Sequence, residues 1–348
     1  MKKILPIKDK PVFTAYLDVA AVCAILEADT RHKHLFFCSF INSYWNADGK
    51  AKYRIYDDDF FDYLMFEKTV VSPSLLQFKR NNIVKLLKRW IDSDFYIYAY
   101  INEAELSGTQ LFGNTPIIHD SLIFGYDDDS HQFLIMNYNA EKRFGRIPVS
   151  YSEIKNSVLR NIREASANSA NFFNRDISCN QYPQFVLLKP CTYICEKEIE
   201  VINRRLKFYI DARNIKTGKL NNLMPNDYYW GIETYSAFYD YVSHNTEYDY
   251  RFFKLLEEHI FYFIKLAEYL KMNDVINHNH DDNIKNIVKT LNFKVLIANK
   301  QYSTKVKEEL LCLLQECRQK EYDFVRALIE QTDLYLASKS NVKQYMIL

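Results

Sequence analysis

Three side chains in this sequence have the chemistry of a nucleophilic site: the imidazole of His119, the amide of Asn137 and the thiol of Cys23. An imidazole steadied by an amide or carboxylate is the base-and-orienter half of a catalytic triad, and a thiolate is a nucleophile such a pair activates. His119 and Asn137 lie near the ends of residues 117–139, IIHDSLIFGYDDDSHQFLIMNYN. Two apolar runs, 121–124 and 133–136, flank a stretch that opens with Gly-Tyr-Asp-Asp-Asp-Ser. Asp and Ser side chains bond nearby backbone groups and so favour a turn, which predicts a β-hairpin. Closing the ribbon brings His119 toward Asn137.

The elements around the hairpin are legible by spacing. Ala15, Val19, Val22, Cys23 and Leu26 recur at helical intervals and predict a helix near the start of the chain. A second apolar stretch, FFCSFINSYW, reads as another helix or a buried segment. Ser72-Pro73-Ser74 is a helix start, and Ile83, Leu86, Leu87 and Trp90 form the buried face beyond it. Residues 94–101 (DFYIYAYI) predict a strand, 146–149 a further strand, and Ser152-Glu153 a helix opening that continues to Ile162. After the strand 185–188, helices are expected over 199–210, 230–242, 250–272, 281–297 and 303–337. The composition shift near residue 190 predicts an α+β domain over 1–190 with an antiparallel sheet, and a helical domain over 191–348 packed against it.

Composition narrows the function classes. Basic and acidic residues number 45 and 44, so no charge excess draws the chain to nucleic acid or a membrane surface. Only seven glycines occur, which disfavours a Gly-rich phosphate-binding architecture. The seven cysteines are scattered and no His or Cys completes a metal set beside them, so no metal and no cofactor is expected. Asp57-Asp58-Asp59 and Asp127-Asp128-Asp129 lack calcium-loop spacing, and the loop carrying His278, His280, Asp281 and Asp282 reads as solvated. With no signal-like leader or long apolar run, a cytoplasmic protein with reduced thiols is expected.

The strand-and-hairpin stretch 94–138, followed by Ser150-Tyr151-Ser152-Glu153, resembles papain-like cysteine-peptidase-fold proteins of bacterial natural-product (nonribosomal peptide and polyketide) clusters. It is similar to the butirosin biosynthesis protein H N-terminal domain and, distantly, to C39-type peptidases. Tyr229-Trp230-Gly231-Ile232-Glu233-Thr234-Tyr235, Asp249-Tyr250-Arg251 and Glu257-Glu258-His259 resemble segments of the same cluster-associated proteins. The resemblance implies a papain-like domain with His119 as base and Asn137, where Asp is usual, as orienter. It also implies acyl transfer or amide formation on a thioester, with an acyl or peptidyl carrier protein and a small-molecule acyl acceptor as partners.

The nucleophile of such a family stands at the start of the first long helix, where the helix dipole lowers a thiol pKa. That place falls near Tyr16, Leu17 or Asp18, and Cys23 lies further along the apolar stripe. Two functions follow. One is an acyltransferase using Cys23, His119 and Asn137; the other is a catalytically inactive papain-like fold that grips an acyl or peptide chain as a scaffold partner. The basic residues Lys79, Arg80, Lys85, Lys88 and Arg89 share a helix face suited to an acidic carrier protein.

Overall fold

The computed structural model describes residues 1–46, 53–55, 65–71, 82–114, 118–167, 185–191, 197–213, 228–277 and 282–345. Asp57-Asp58-Asp59, Ser72-Pro73-Ser74, Lys79, Arg80, Cys179, Cys195, His278 and His280 lie outside the described residues. Two compact units emerge, one of Met1–Lys33 with Asp59–Tyr193, the other of His34–Asp58 with Ile194–Leu348. A single cut at residue 190 misses the early segment that belongs with the C-terminal helices.

The first unit opens with β1 (Lys2–Ile4) and α1 (Leu17–Leu26). Then come the early elements of the second unit: α2 (Lys33–Ser39), β2 (Ser43–Asn46) and β3 (Tyr53–Ile55). The first unit resumes with β4 (Phe66–Val71), α3 (Ile83–Asp92), β5 (Tyr96–Asn102) and β6 (Ile118–Asp127). It ends with β7 (Gln132–Tyr138), β8 (Phe144–Ser150), α4 (Tyr151–Ala167) and β9 (Phe185–Pro190). The rest of the second unit is α5 (Glu198–Ile210), β10 (Tyr228–Trp230), α6 (Thr234–His244), α7 (Tyr250–Met272), α8 (Asp282–Lys300) and α9 (Thr304–Tyr345).

The first unit is built on an antiparallel sheet in the order β4-β9-β5-β6-β7-β8, with β1 beside β6. Six of the seven residues of β5 are buried, the pattern of a central strand covered on both faces. α1 packs against β6 and β7, and α3 and α4 pack against β5. Every residue of α1 except Asp18 is buried, so this helix is core all round rather than amphipathic. The expected hairpin is β6–β7, with Leu122 opposite Met136 and an irregularity between Ile123 and Gly125. A Cβ at Gly125 would lie 3.0 Å from the carbonyl oxygen of Lys3, so glycine lets β1 close against the bulged strand. The Asp run makes the turn, where the Asp129 N–H donates to Asp127 Oδ1. Lys88 donates to Asp128 at 2.5 Å, so this residue of the basic helix face braces the hairpin.

The helix after β8 begins at Tyr151, one residue before its Ser152-Glu153 signal. The Glu153 N–H donates to Ser150 Oγ at 3.2 Å, and the Ser150 N–H donates to Glu153 Oε2 at 2.6 Å. This reciprocal pair is a capping box with Ser150 as the cap.

In the second unit β10, β2 and β3 form a small antiparallel sheet against aromatic helices. Trp45 packs edge-on to Phe238 at 4.8 Å between ring centroids, and Tyr53 packs on the same ring at 4.9 Å. Beneath lies a polar network. Glu321, fully buried, accepts hydrogen bonds from the hydroxyls of Tyr209 and Tyr235, both at 2.5 Å. His259 Nε2 faces the carbonyl oxygens of Phe40 at 3.1 Å and Ile41 at 3.0 Å, while its Nδ1 lies 3.3 Å from the Tyr53 hydroxyl. Nε2 therefore carries the proton and Nδ1 accepts.

Candidate functional site

His119 stands near the start of β6, opposite Ile101 of β5, with its side chain 36% exposed. Its Nδ1 faces oxygens only: Asp120 Oδ1 at 3.1 Å, Glu103 Oε2 at 3.2 Å and the Asp120 carbonyl at 3.3 Å. Nε2 has no partner among the described residues. Glu103 begins a short 3-10 turn, Glu103–Glu105, which follows β5 and is capped by the Asn102 side chain accepting from the Ala104 N–H. Antiparallel pairing thus explains the meeting: Ile101 is matched with His119, and Glu103 follows two residues later.

The carboxylates differ in setting. Glu103 is 1% exposed, and burial pushes its carboxyl up to about 7 against the pull of the His119 imidazole, with the Asp120 charge raising it further. Asp120 is tied on its other side, where Oδ2 accepts the Tyr98 hydroxyl. Burial, then the charges of Asp120 and Asp18, push the Tyr98 phenol well above its ordinary value, so it remains a donor. Asp18 sits in the first turn of α1, where its Oδ1 accepts the Val19 N–H at 2.9 Å. Charge from α1, the turn after β5 and β6 therefore converges on one end of the sheet.

Asn137 is elsewhere engaged. Its Nδ2 donates to Ser121 Oγ at 2.6 Å and to the Asp120 carbonyl at 3.4 Å, and its Oδ1 accepts the Tyr138 N–H at 2.6 Å. The amide locks the hairpin rather than the imidazole. The orienting oxygens at Nδ1 come from Glu103 and Asp120. Both escaped the sequence reading, because Asp120 reads as a strand residue and Glu103 becomes visible only through the β5–β6 register.

Cys23 lies in the middle of α1 with no exposed surface. Its thiol donates to Glu27 Oε1 at 3.1 Å, and burial followed by the Glu27 charge pushes its pKa well above the ordinary thiol value. These are the surroundings of a structural thiol, since a reactive one needs exposure and a positive neighbour. At the helix start, Tyr16 adopts an extended conformation ahead of Leu17 and Asp18, and no sulfur is present in these residues. Cys191, half-buried after β9, is likewise pushed up by burial and the Glu67 charge.

The imidazole and two carboxyl groups are thus assembled, and the Cys23 thiol stands apart in the core. No group of three or more His, Cys, Asp or Glu is placed to hold a metal among the described residues, and no described helix is long and apolar enough to cross a membrane. No protein-family model matches this chain, and no curated protein matches it either.

Proposed function

We propose that the unit carrying His119 is a papain-like fold without a working thiol among its described residues, which binds an acyl or peptide chain presented by a carrier protein during natural-product assembly. The observation that carries this reading is the setting of Cys23: a fully buried thiol, hydrogen-bonded to a carboxylate, on the helix whose start lacks sulfur. The antiparallel sheet, the buried helix α1 and a hairpin bearing an exposed imidazole support the fold assignment. The enzymatic reading, with Cys23 as nucleophile, His119 as base and Asn137 as orienter, draws support from the braced and exposed imidazole.

Incubation with an acyl-pantetheine thioester, followed by intact-mass analysis and peptide mapping, separates the two. Binding without chemistry predicts saturable association, seen as shifts of backbone amides in β6 and β7, and an unchanged protein mass. An acyl group mapped to Cys23 would overturn the proposal in favour of the acyltransferase.

A further inference from the structure

Nδ1 of His119 looks onto three acceptor oxygens and no donor nitrogen: Glu103 Oε2 at 3.2 Å, Asp120 Oδ1 at 3.1 Å and the Asp120 carbonyl at 3.3 Å. Above pH 7, where Glu103 is ionised, a ring nitrogen so surrounded carries a proton, because an unprotonated nitrogen would set lone pair against lone pair. Glu103 reinforces this. Its Oε2 is buried and makes no hydrogen bond with any described residue, and His119 Nδ1 lies 3.2 Å from it. Asp120 cannot turn away without releasing the Tyr98 hydroxyl.

Building on the binding reading of this site, we propose that Glu103, together with Asp120, is the positioning residue that fixes His119 as the Nδ1–H imidazole, so that Nε2 meets an N–H or O–H group of the bound chain. Nδ1 lies against the carboxyl oxygens of Glu103 and Asp120, and Nε2 has no partner among the described residues. A neutral imidazole so held accepts a hydrogen bond at Nε2, which suits an amine, amide or hydroxyl. The carboxylates of Asp18, Glu103 and Asp120 disfavour a ligand carboxylate at the same place.

Nitrogen NMR of the full chain with 15N-labelled histidine tests this without any ligand, the His119 signals being those lost in His119→Gln. The expected result above pH 7, where Glu103 is ionised, is that neutral His119 shows a protonated Nδ1 and a bare Nε2, the Nδ1–H form outnumbering the other by about tenfold or more, the scale of one charge-assisted hydrogen bond. Glu103→Met removes the acceptor at similar length and should shift the ring toward Nε2–H. Glu103→Gln, which restores an acceptor oxygen, should recover much of the wild-type preference, and Asn137→Ser should leave it unchanged. A wild-type ring protonated on Nε2 would overturn the proposal, and so would a preference that follows Asn137 and ignores Glu103. Should the Glu103 variants fail to fold, the wild-type tautomer and Asp120→Asn decide. Acylation of Cys23 would end the binding reading and leave this tautomer standing, whereas an Nε2–H ring would end the role of Glu103 and leave chain binding standing.

Discussion

Dry surroundings disfavour the charged form of any side chain, so burial makes the Glu321 carboxyl hold its proton and the His259 imidazole shed it, and the two impose opposite pH dependences on the second unit. Burial raises Glu321 from 4.5 to about 7, so its contribution to stability is complete below pH 4.5 and is lost as pH rises toward 7. Burial lowers His259 from 6.5 to about 4, so its contribution is complete above pH 6.5 and is lost as pH falls toward 4. Either shift corresponds to on the order of 3 kcal/mol. Relative to wild type, the penalty of Glu321→Gln should shrink by about that amount from pH 4.5 to 7.5, and the penalty of His259→Gln should shrink as pH falls from 6.5 to 4. Denaturant unfolding across this range measures both, and parallel curves for variant and wild type would refute the assignment. At the same scale, native Cys23 should resist iodoacetamide while the exposed Cys312 reacts, with Cys23 labelled only after unfolding. His119 was legible as a candidate from its place before a strand. The partners at its Nδ1 were not, because Glu103 reaches it through strand register and not through sequence proximity.

Single backbone positions decide how the elements meet. Gly231 has φ +53°, and a Cβ there would lie 2.1 Å from the Tyr209 carbonyl oxygen. Gly231→Ala should therefore cost on the order of 3 kcal/mol or more and displace Tyr209 from Glu321, a change visible in thermal unfolding and tyrosine absorbance. Ser150→Ala removes one side of the capping box and should cost about 1 kcal/mol, with faster amide exchange confined to the first turn of α4. Elements with strong local patterns were readable from the sequence: α7 spans the expected 250–272, and the hairpin follows its Asp-rich turn. Trp230 was expected to open a helix but ends β10, and the helix begins at Thr234. The pairing of Trp230 with Tyr44 causes this difference, and a partner almost two hundred residues away leaves no trace in local periodicity.

Across the whole molecule, the assignment of residues 34–58 to the second unit is the least sequence-legible feature, since FFCSFINSYW is apolar enough for any core. Its packing shows why it belongs there. Trp45 meets Phe238 and Phe252, the Tyr262 hydroxyl donates to the Phe37 carbonyl at 2.8 Å, and His259 caps the Phe40 and Ile41 carbonyls. A chain truncated after Tyr193 should consequently expose Trp45 and Tyr53, bind hydrophobic dyes and aggregate, although the sheet of the first unit is complete. A soluble, dye-free monomer would show that the early segment has another way to cover itself.

That interrupted layout also sets a timetable on the ribosome. The first unit has all of its residues once Tyr193 has emerged, whereas β2 must wait for Trp230 and the helices behind it. At about 5–20 residues per second, the 155 residues from 194 to 348 take roughly 8 to 30 seconds to make. Through that interval a greasy stretch stays tethered to a finished neighbour, and nascent-chain cross-linking should catch chaperones on it.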